Sequence, residues 1–335
     1  MPDQFDALLL VSFGGPERRE DVMPFLERVT LGRGVPRERL LEVAGNYYAL
    51  GGASPINGQC RELLAALRAE LERRAIPLPV YWGNRNWSPM LEETLGEMHR
   101  VGVRRVLVAP TSAYSGYSAC RQYLEDLQSV RLEPPIEFER LPHYSRYAGF
   151  TGLLAESLDA ALLQIPAERR GAARVLFTAH SIPLELARTS SYTADLLDVA
   201  SRVAWASREL GKTVWQLVYQ SRSGSPQQPW LGPDVREALS GLAERGARDV
   251  VVAPIGFLSD HMEVKFDLDT QARQRAEQLG LNMIRAATVG THPAFVGLLG
   301  DLVEARWSNA VPARPWPCAA SCCVAPAAMQ RPPSR

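Results

Sequence analysis

The chain has 335 residues, with 37 basic residues against 37 acidic ones, 46% hydrophobic residues and 22% charged ones. This is ordinary globular composition for about two domains of roughly 100–200 residues each, and zero net charge excludes a protein whose main task is gripping nucleic acid or an anionic membrane, since both need a basic excess. No stretch approaches the ~20 apolar residues of a membrane span, and acids precede the first apolar run where a signal peptide carries Lys or Arg; both features predict a cytoplasmic protein with no integral membrane segment.

Along the chain, short apolar runs alternate with longer amphipathic ones, the pattern of βα units around parallel sheets. Strands are predicted at residues 7–13, 79–83, 105–110 and 136–141, and again at 174–180, 213–220, 249–257 and 282–287. Helical patterns lie at 61–74, 91–101, 150–163, 193–210, 234–245 and 268–279. The stretch from Gly102 to Pro110 reads nearly in register with that from Gly246 to Pro254, so the second set of elements repeats the first. The expected fold class is therefore α/β. It comprises two similar Rossmann-like domains, residues 1–150 and 151–310, each a parallel four-stranded sheet flanked by helices, with the active site in the interdomain cleft where the loops after the strand C-termini meet. A Cys- and Pro-rich tail follows at 311–335.

Two of these loops carry ionisable groups. The strand at 174–180 delivers His180 to the edge of a buried sheet, followed by Ser181-Ile182-Pro183, and a His so placed suits proton transfer or metal ligation. The corresponding loop of the second half runs Asp260-His261-Met262-Glu263-Val264-Lys265-Phe266-Asp267-Leu268-Asp269. Acids at a helix start are favoured by its dipole, which accounts for Asp267 and Asp269. The His261/Glu263 pair precedes the expected helix, and imidazole with carboxylate suits Fe(II) or another borderline divalent ion. Glu263 and Asp267 share a face if the helix begins early. Lys265 is one of two lysines, with Lys212; it either tunes Glu263 or lies on the surface.

Five motifs in order make the chain resemble the ferrochelatases from about Ala7 to about Trp307. They are Leu10-Val11-Ser12-Phe13-Gly14-Gly15-Pro16, the run from Gly51 to Asn57, the run from Thr178 to Pro183, Tyr219 to Gly224 with Gln228-Pro229-Trp230-Leu231, and the run from Gly256 to Asp269. The resemblance implies a lyase of heme biosynthesis that inserts Fe(II), the substrate metal, into a porphyrin. His180 would then serve as proton acceptor and metal ligand, and Glu263 as proton relay and metal ligand. Porphyrin contacts carried over from the family are Ser54, Tyr47 and Tyr123, with Phe13 packing on the macrocycle where many relatives have a residue able to ligate iron. Gln271 interrupts the acidic track that some relatives continue. The run Thr30 to Arg39, which includes Arg33, has arginines where membrane-bound relatives have an apolar lip, and guanidinium pairs well with carboxylate. Coproporphyrin III, with its four propionates, is thus the expected substrate, with protoporphyrin IX or a non-catalytic tetrapyrrole or metal carrier as alternatives. A monomer is expected, with transient contacts to neighbouring heme-pathway enzymes and none to nucleic acid.

Cys318, Cys322 and Cys323 crowd the tail. Some ferrochelatases resemble this arrangement and use it, with an internal cysteine, to hold a 2Fe-2S cluster; here the fourth ligand would be Cys120, and Cys60 reads as a small apolar helix residue. Zinc on the same thiolates, or free thiols, are the competing readings.

Overall fold

Each of the eight apolar runs forms a parallel strand. In the computed structural model, which describes residues 5–32, 34–211, 213–223, 227–310, 316, 318–319 and 321–325, the strands are β1 (Ala7–Ser12), β2 (Val80–Asn84), β3 (Arg105–Pro110), β4 (Glu137–Arg140), β5 (Arg174–His180), β6 (Trp215–Gln220), β7 (Asp249–Ala253) and β8 (Asn282–Arg285). The sheet orders are β2-β1-β3-β4 and β6-β5-β7-β8. The two orders are the same, as the internal repeat predicts, and the segments Gly102 to Pro110 and Gly246 to Pro254 contribute corresponding strands. The central strands β1 and β5 are mostly apolar because helices cover both faces of a parallel sheet; all six residues of β1 are buried.

The chain divides into two units. The first comprises Met1–Ser112, Tyr117–His143 and Thr291–Arg335, and the second Ala113–Gly116 and Tyr144–Gly290. In the first, Leu95, Met98, Val106, Val108, Tyr123 and Leu127 belong to one buried cluster around the sheet. In the second, Val218, Leu239, Val250 and Val252 pack with Val264, Leu268, Ala272 and Ala276, a buried stripe at every fourth position. The helix Val235–Glu244 starts as its sequence dictates: Asp234 caps it, accepting from Arg236 N at 2.8 Å, and Glu237 closes the capping box.

These bounds differ from the expected ones at the C-terminal side. The helix Pro293–Trp307 follows β8 in sequence yet belongs to the first unit. Arg74 donates to Glu304 Oε2 at 2.7 Å and to the Gly297 carbonyl at 3.1 Å. Arg306 forks onto Glu139 of β4, one of its bonds measuring 2.9 Å, with the side chains only 4% and 11% exposed. No helix is predicted at 293–307, and a helix's own residues do not say which sheet will bury it. Helices also form where no element was predicted, among them Gln122–Ser129, and Val22–Val29 with Arg37–Ala49 around the small cluster Val22, Phe25, Leu26, Leu40 and Ala44. Among the described residues no helix is long and apolar enough to cross a membrane.

Candidate active site

In a sheet of this order, ligands bind beyond the strand C-termini where the order reverses, which in the second unit lies between β5 and β7. His180 is the last residue of β5, and Glu263 follows β7 by ten residues. The loop between them reaches β5 because Gly256 has no side chain: a Cβ there would sit 2.6 Å from the Ala179 Cβ, and its amide donates to the Thr178 carbonyl at 3.0 Å. The helix then starts earlier than the pattern suggested. Val264–Ala272 is π-helical with Glu263 at its N-cap, a wide-turned form that favours functional sites, and it passes into the α-helix Arg273–Gln278.

The result is a pair. His180 Nε2 lies 3.3 Å from Glu263 Oε1, with side chains 33% and 46% exposed. The Nδ1–H of His180 donates to the Ser181 carbonyl, and the Tyr192 hydroxyl donates to the His180 carbonyl at 3.0 Å. With one ring nitrogen on a carbonyl and the other facing a carboxylate, the imidazole must carry both protons. Burial pulls its pKa down, but the Glu263 carboxylate and the Ser181 carbonyl outweigh that and push it up to about 9. Burial likewise raises Glu263, and the imidazolium beside it overrides this to bring the carboxyl down to about 2. The resting pair is ionic at neutral pH.

Two neighbours complete the group. His261 Nδ1 accepts from the Glu263 amide at 3.1 Å, which leaves the proton of a neutral ring on Nε2, and burial lowers its pKa. The sequence marked His261 beside Glu263 without giving it a role. Asp267, one acid-face position on, is pushed up to about 6, chiefly by burial, and accepts a hydrogen bond from Ser221, whose φ is +64°. Beside it lies a cavity of about 90 Å³ lined by residues that include Gln220, Asp234, Arg236 and Gln271.

The other expected site residues lie in the first unit. Phe13, 39% exposed, and Tyr47 both meet the Phe25 ring edge-on, at centroid distances of 6.2 and 6.1 Å. Ser54 is buried and its amide donates to the Pro16 carbonyl at 2.7 Å, holding it against the Gly14-Gly15 loop. Tyr123 is only 4% exposed; Arg85 lies 5.0 Å above its ring and 5.9 Å from Phe13, and pairs with Asp126. Arg33 falls outside the described residues. The structure thus gathers Phe13 and Tyr47 about Phe25, and ties Tyr123 to Phe13 through Arg85, a link that no sequence pattern announced.

Of the thiols, Cys60 and Cys120 are buried in the first unit, Cys323 is buried, and Cys318 is exposed. Cys322 and Cys323 Sγ are 3.6 Å apart, and Arg121 donates to the Cys322 carbonyl at 3.4 Å. Burial raises the Cys120 pKa, with Trp316, Cys318 and Cys322 near enough to modulate it. Four thiols are the right donors for a 2Fe-2S centre, yet among the described residues no three His, Cys, Asp or Glu side chains converge to hold a metal ion. The arrangement therefore brings the thiols into one neighbourhood without forming the ligand shell.

Comparison with known proteins gives one answer. The ferrochelatase family model matches residues 5–307. Coproporphyrin III ferrochelatase of Streptomyces coelicolor is 48% identical over 343 aligned residues, covering 95% of this chain and 91% of that protein. The protein of the same name from Nocardia farcinica is 47% identical, covering 95% and 96%. Among solved structures, SirB from Bacillus subtilis with Fe3+ aligns with a TM-score of 0.55 at 14% identity, covering 91% of this chain and 96% of that one. That likeness concerns the fold.

Proposed function

The chain belongs to the ferrochelatase family, and on that premise we propose that it inserts Fe(II) into coproporphyrin III with His180 and Glu263 as the reacting pair. The observation that carries the assignment is the 3.3 Å approach of these two side chains at the reversal point of the second sheet. The names of its relatives support the choice of substrate.

The pair's ionisation suggests how it works. Insertion releases two pyrrole protons for each Fe(II), so the site must exchange positive charge for positive charge. At rest the imidazolium neutralises Glu263. When substrate Fe(II) engages the Glu263 carboxylate, the attraction that raised the His180 pKa is spent on the metal. The His180 proton is then released to solvent, and Nε2 accepts the two pyrrole protons in turn, passing the first on before it takes the second. The Ser181 carbonyl keeps the ring oriented throughout. Asp267, with a pKa of about 6, is matched to take protons onward near neutrality. Phe13, Tyr47 and Ser54 are the proposed porphyrin contacts on the first unit, Tyr123 supports Phe13 through Arg85, and Arg33 is proposed for a propionate.

The 2Fe-2S cluster on Cys120, Cys318, Cys322 and Cys323 belongs to this proposal on donor chemistry, and no catalytic step depends on it. An anaerobic, iron-replete preparation is expected to be brown, with visible absorption lost in Cys322→Ser; zinc by metal analysis, or metal-free thiols, defeats the cluster. A cytoplasmic location and a monomeric state are tested by fractionation and light scattering. The central experiment compares anaerobic Fe(II) insertion into coproporphyrin III and protoporphyrin IX. Preference for the latter overturns the substrate, and porphyrin binding without turnover by the wild type points to the carrier. His180→Ala is expected to abolish insertion while retaining porphyrin binding.

A further inference from the structure

Glu263 is half-buried, at 46% exposed, so packing alone does not fix its side chain. Its direction also depends on the backbone segment that bears it, a loop leading into a π-helix, a form found mostly as short stretches at functional sites. The structure contains a device that fixes both ends of this segment. Arg285 closes β8, where it pairs in register with Val252. Its guanidinium forks onto Asp260, Nη1 to Oδ1 at 3.1 Å and Nη2 to Oδ2 at 2.9 Å. It also reaches Asp269, Nε to Oδ1 at 2.5 Å and Nη2 to Oδ2 at 3.3 Å. Thr288 donates to Asp260 Oδ1 at 3.0 Å, and Arg285 donates to the Ala286 carbonyl at 3.1 Å. From the outer side, Lys265 Nζ lies 3.7 Å from Asp260 and 3.5 Å from Asp269.

We infer that Arg285, backed by Lys265, is a positioning residue that clamps Asp260 to Asp269 and thereby directs Glu263 at His180. The inference rests on the proposed role of that pair. Asp260 and Asp269 bracket Glu263, three residues before it and six after, so fixing both fixes what lies between. Two acids and two bases cancel, so the clamp's charges are settled apart from Glu263, which is left to pair with His180. Arginine is the residue that can do this: a planar fork engages two carboxylates at once in fixed geometry, whereas a lysine ammonium is a point charge. The guanidinium is 12% exposed, so its bonds are shielded from the screening that weakens surface pairs. Without it the two carboxylates would repel and drive the ends of the segment apart.

The test uses the full chain with Arg285→Met, Arg285→Lys and Asp269→Asn. Initial rates of anaerobic Fe(II) insertion into coproporphyrin III are measured against Fe(II), and porphyrin stoichiometry by fluorescence quenching. Arg285→Met is expected to lower kcat between about ten- and a hundredfold, the loss expected for a reacting group displaced by about an ångström. It should also raise KM for Fe(II) while still binding one porphyrin per chain. Arg285→Lys is expected to fall between Met and wild type, restoring charge without the fork. Arg275→Met, which removes two bonds to Ser240 in the same unit, is the control, expected to lower Tm without changing kcat or KM. Wild-type kcat and KM in Arg285→Met, or a kcat that falls only in step with porphyrin stoichiometry, would overturn the clamp. Should Arg285→Met not fold, Asp269→Asn decides: it keeps the fork on Asp260 and is expected to lose about three- to tenfold in kcat, and full activity refutes the proposal. A wild type that binds porphyrin but inserts no iron refutes the underlying function instead.

Discussion

Replacing Glu263 with Gln removes one charge of the pair and keeps its shape, so the His180 pKa reports the interaction directly. At 3.3 Å, two unit charges attract by about 1.3 kcal/mol at the dielectric constant of water and about 5 kcal/mol at an effective constant of 20. Both side chains are a third or more exposed, so solvent screening places the pair toward the lower figure. An attraction of about 1–3 kcal/mol corresponds to roughly one to two pKa units. The His180 pKa, about 9 with Glu263 present, is therefore expected to fall by roughly one to two units in Glu263→Gln. The chain has five histidines, few enough to assign and titrate by heteronuclear NMR of the imidazoles. Stability gives a second reading. A His raised from 6.5 to about 9 contributes fully below pH 6.5 and loses that contribution as pH rises through 9. A Glu lowered from 4.5 to about 2 contributes fully above pH 4.5 and loses it as pH falls toward 2. The stability difference between wild type and Glu263→Gln should thus be largest between pH 4.5 and 6.5. A His180 pKa that does not move in Glu263→Gln would refute the ionic resting state and the exchange mechanism built on it.

Other substitutions probe the supports. Asp267→Asn removes a carboxyl raised from 3.8 to about 6; because ionising it costs the folded state, the variant is expected to have a higher Tm than wild type above pH 6 and an equal one near pH 3, by calorimetry. Gly256→Ala places a methyl 2.6 Å from Ala179, so a loss of about 1–3 kcal/mol in denaturant unfolding and a reduced kcat are expected; wild-type values for both would mean that the loop does not need its close approach. Arg306→Met leaves Glu139 buried with only Arg105 Nη2, 3.9 Å away, to balance it, which should cost up to about 3–5 kcal/mol, and the double variant Arg306→Met/Glu139→Gln should recover much of it.

Much of this was legible because buried parallel strands write themselves as apolar runs. The repeat from Gly102 to Pro110 and from Gly246 to Pro254 gave the common sheet order, and His180 stood out as the polar end of such a run. The resemblance supplied its partner. What was hidden depends on distance along the chain. Arg306 and Glu139, or Arg285 and Asp260, are ordinary surface residues by local pattern, and only folding makes them pairs. The π-helix Val264–Ala272 spans only nine residues, too few for its wider turn to stand out as a period, so the pattern places the start of the element holding Glu263 at Leu268 rather than at Val264. The helices Val22–Val29 and Arg37–Ala49 bury only a small cluster between them; the first carries a clear apolar face in its eight residues and the second a faint one. For the tail, cysteine spacing suggested metal, but spacing alone does not bring Sγ atoms to one centre.

The return of helix Pro293–Trp307 to the first unit means that the second unit's main segment is spliced into the first as a single loop, leaving at Tyr144 and coming back at Gly290. Mechanical load applied beyond Trp307 would therefore fall on the first unit, tearing at the Arg306–Glu139 and Arg74–Glu304 links before any force reached His180 or Glu263. An unfoldase pulling from that side should strip the proposed porphyrin contacts while the proposed reacting pair is still folded, and the order of force peaks in an optical-trap trace would record the splice.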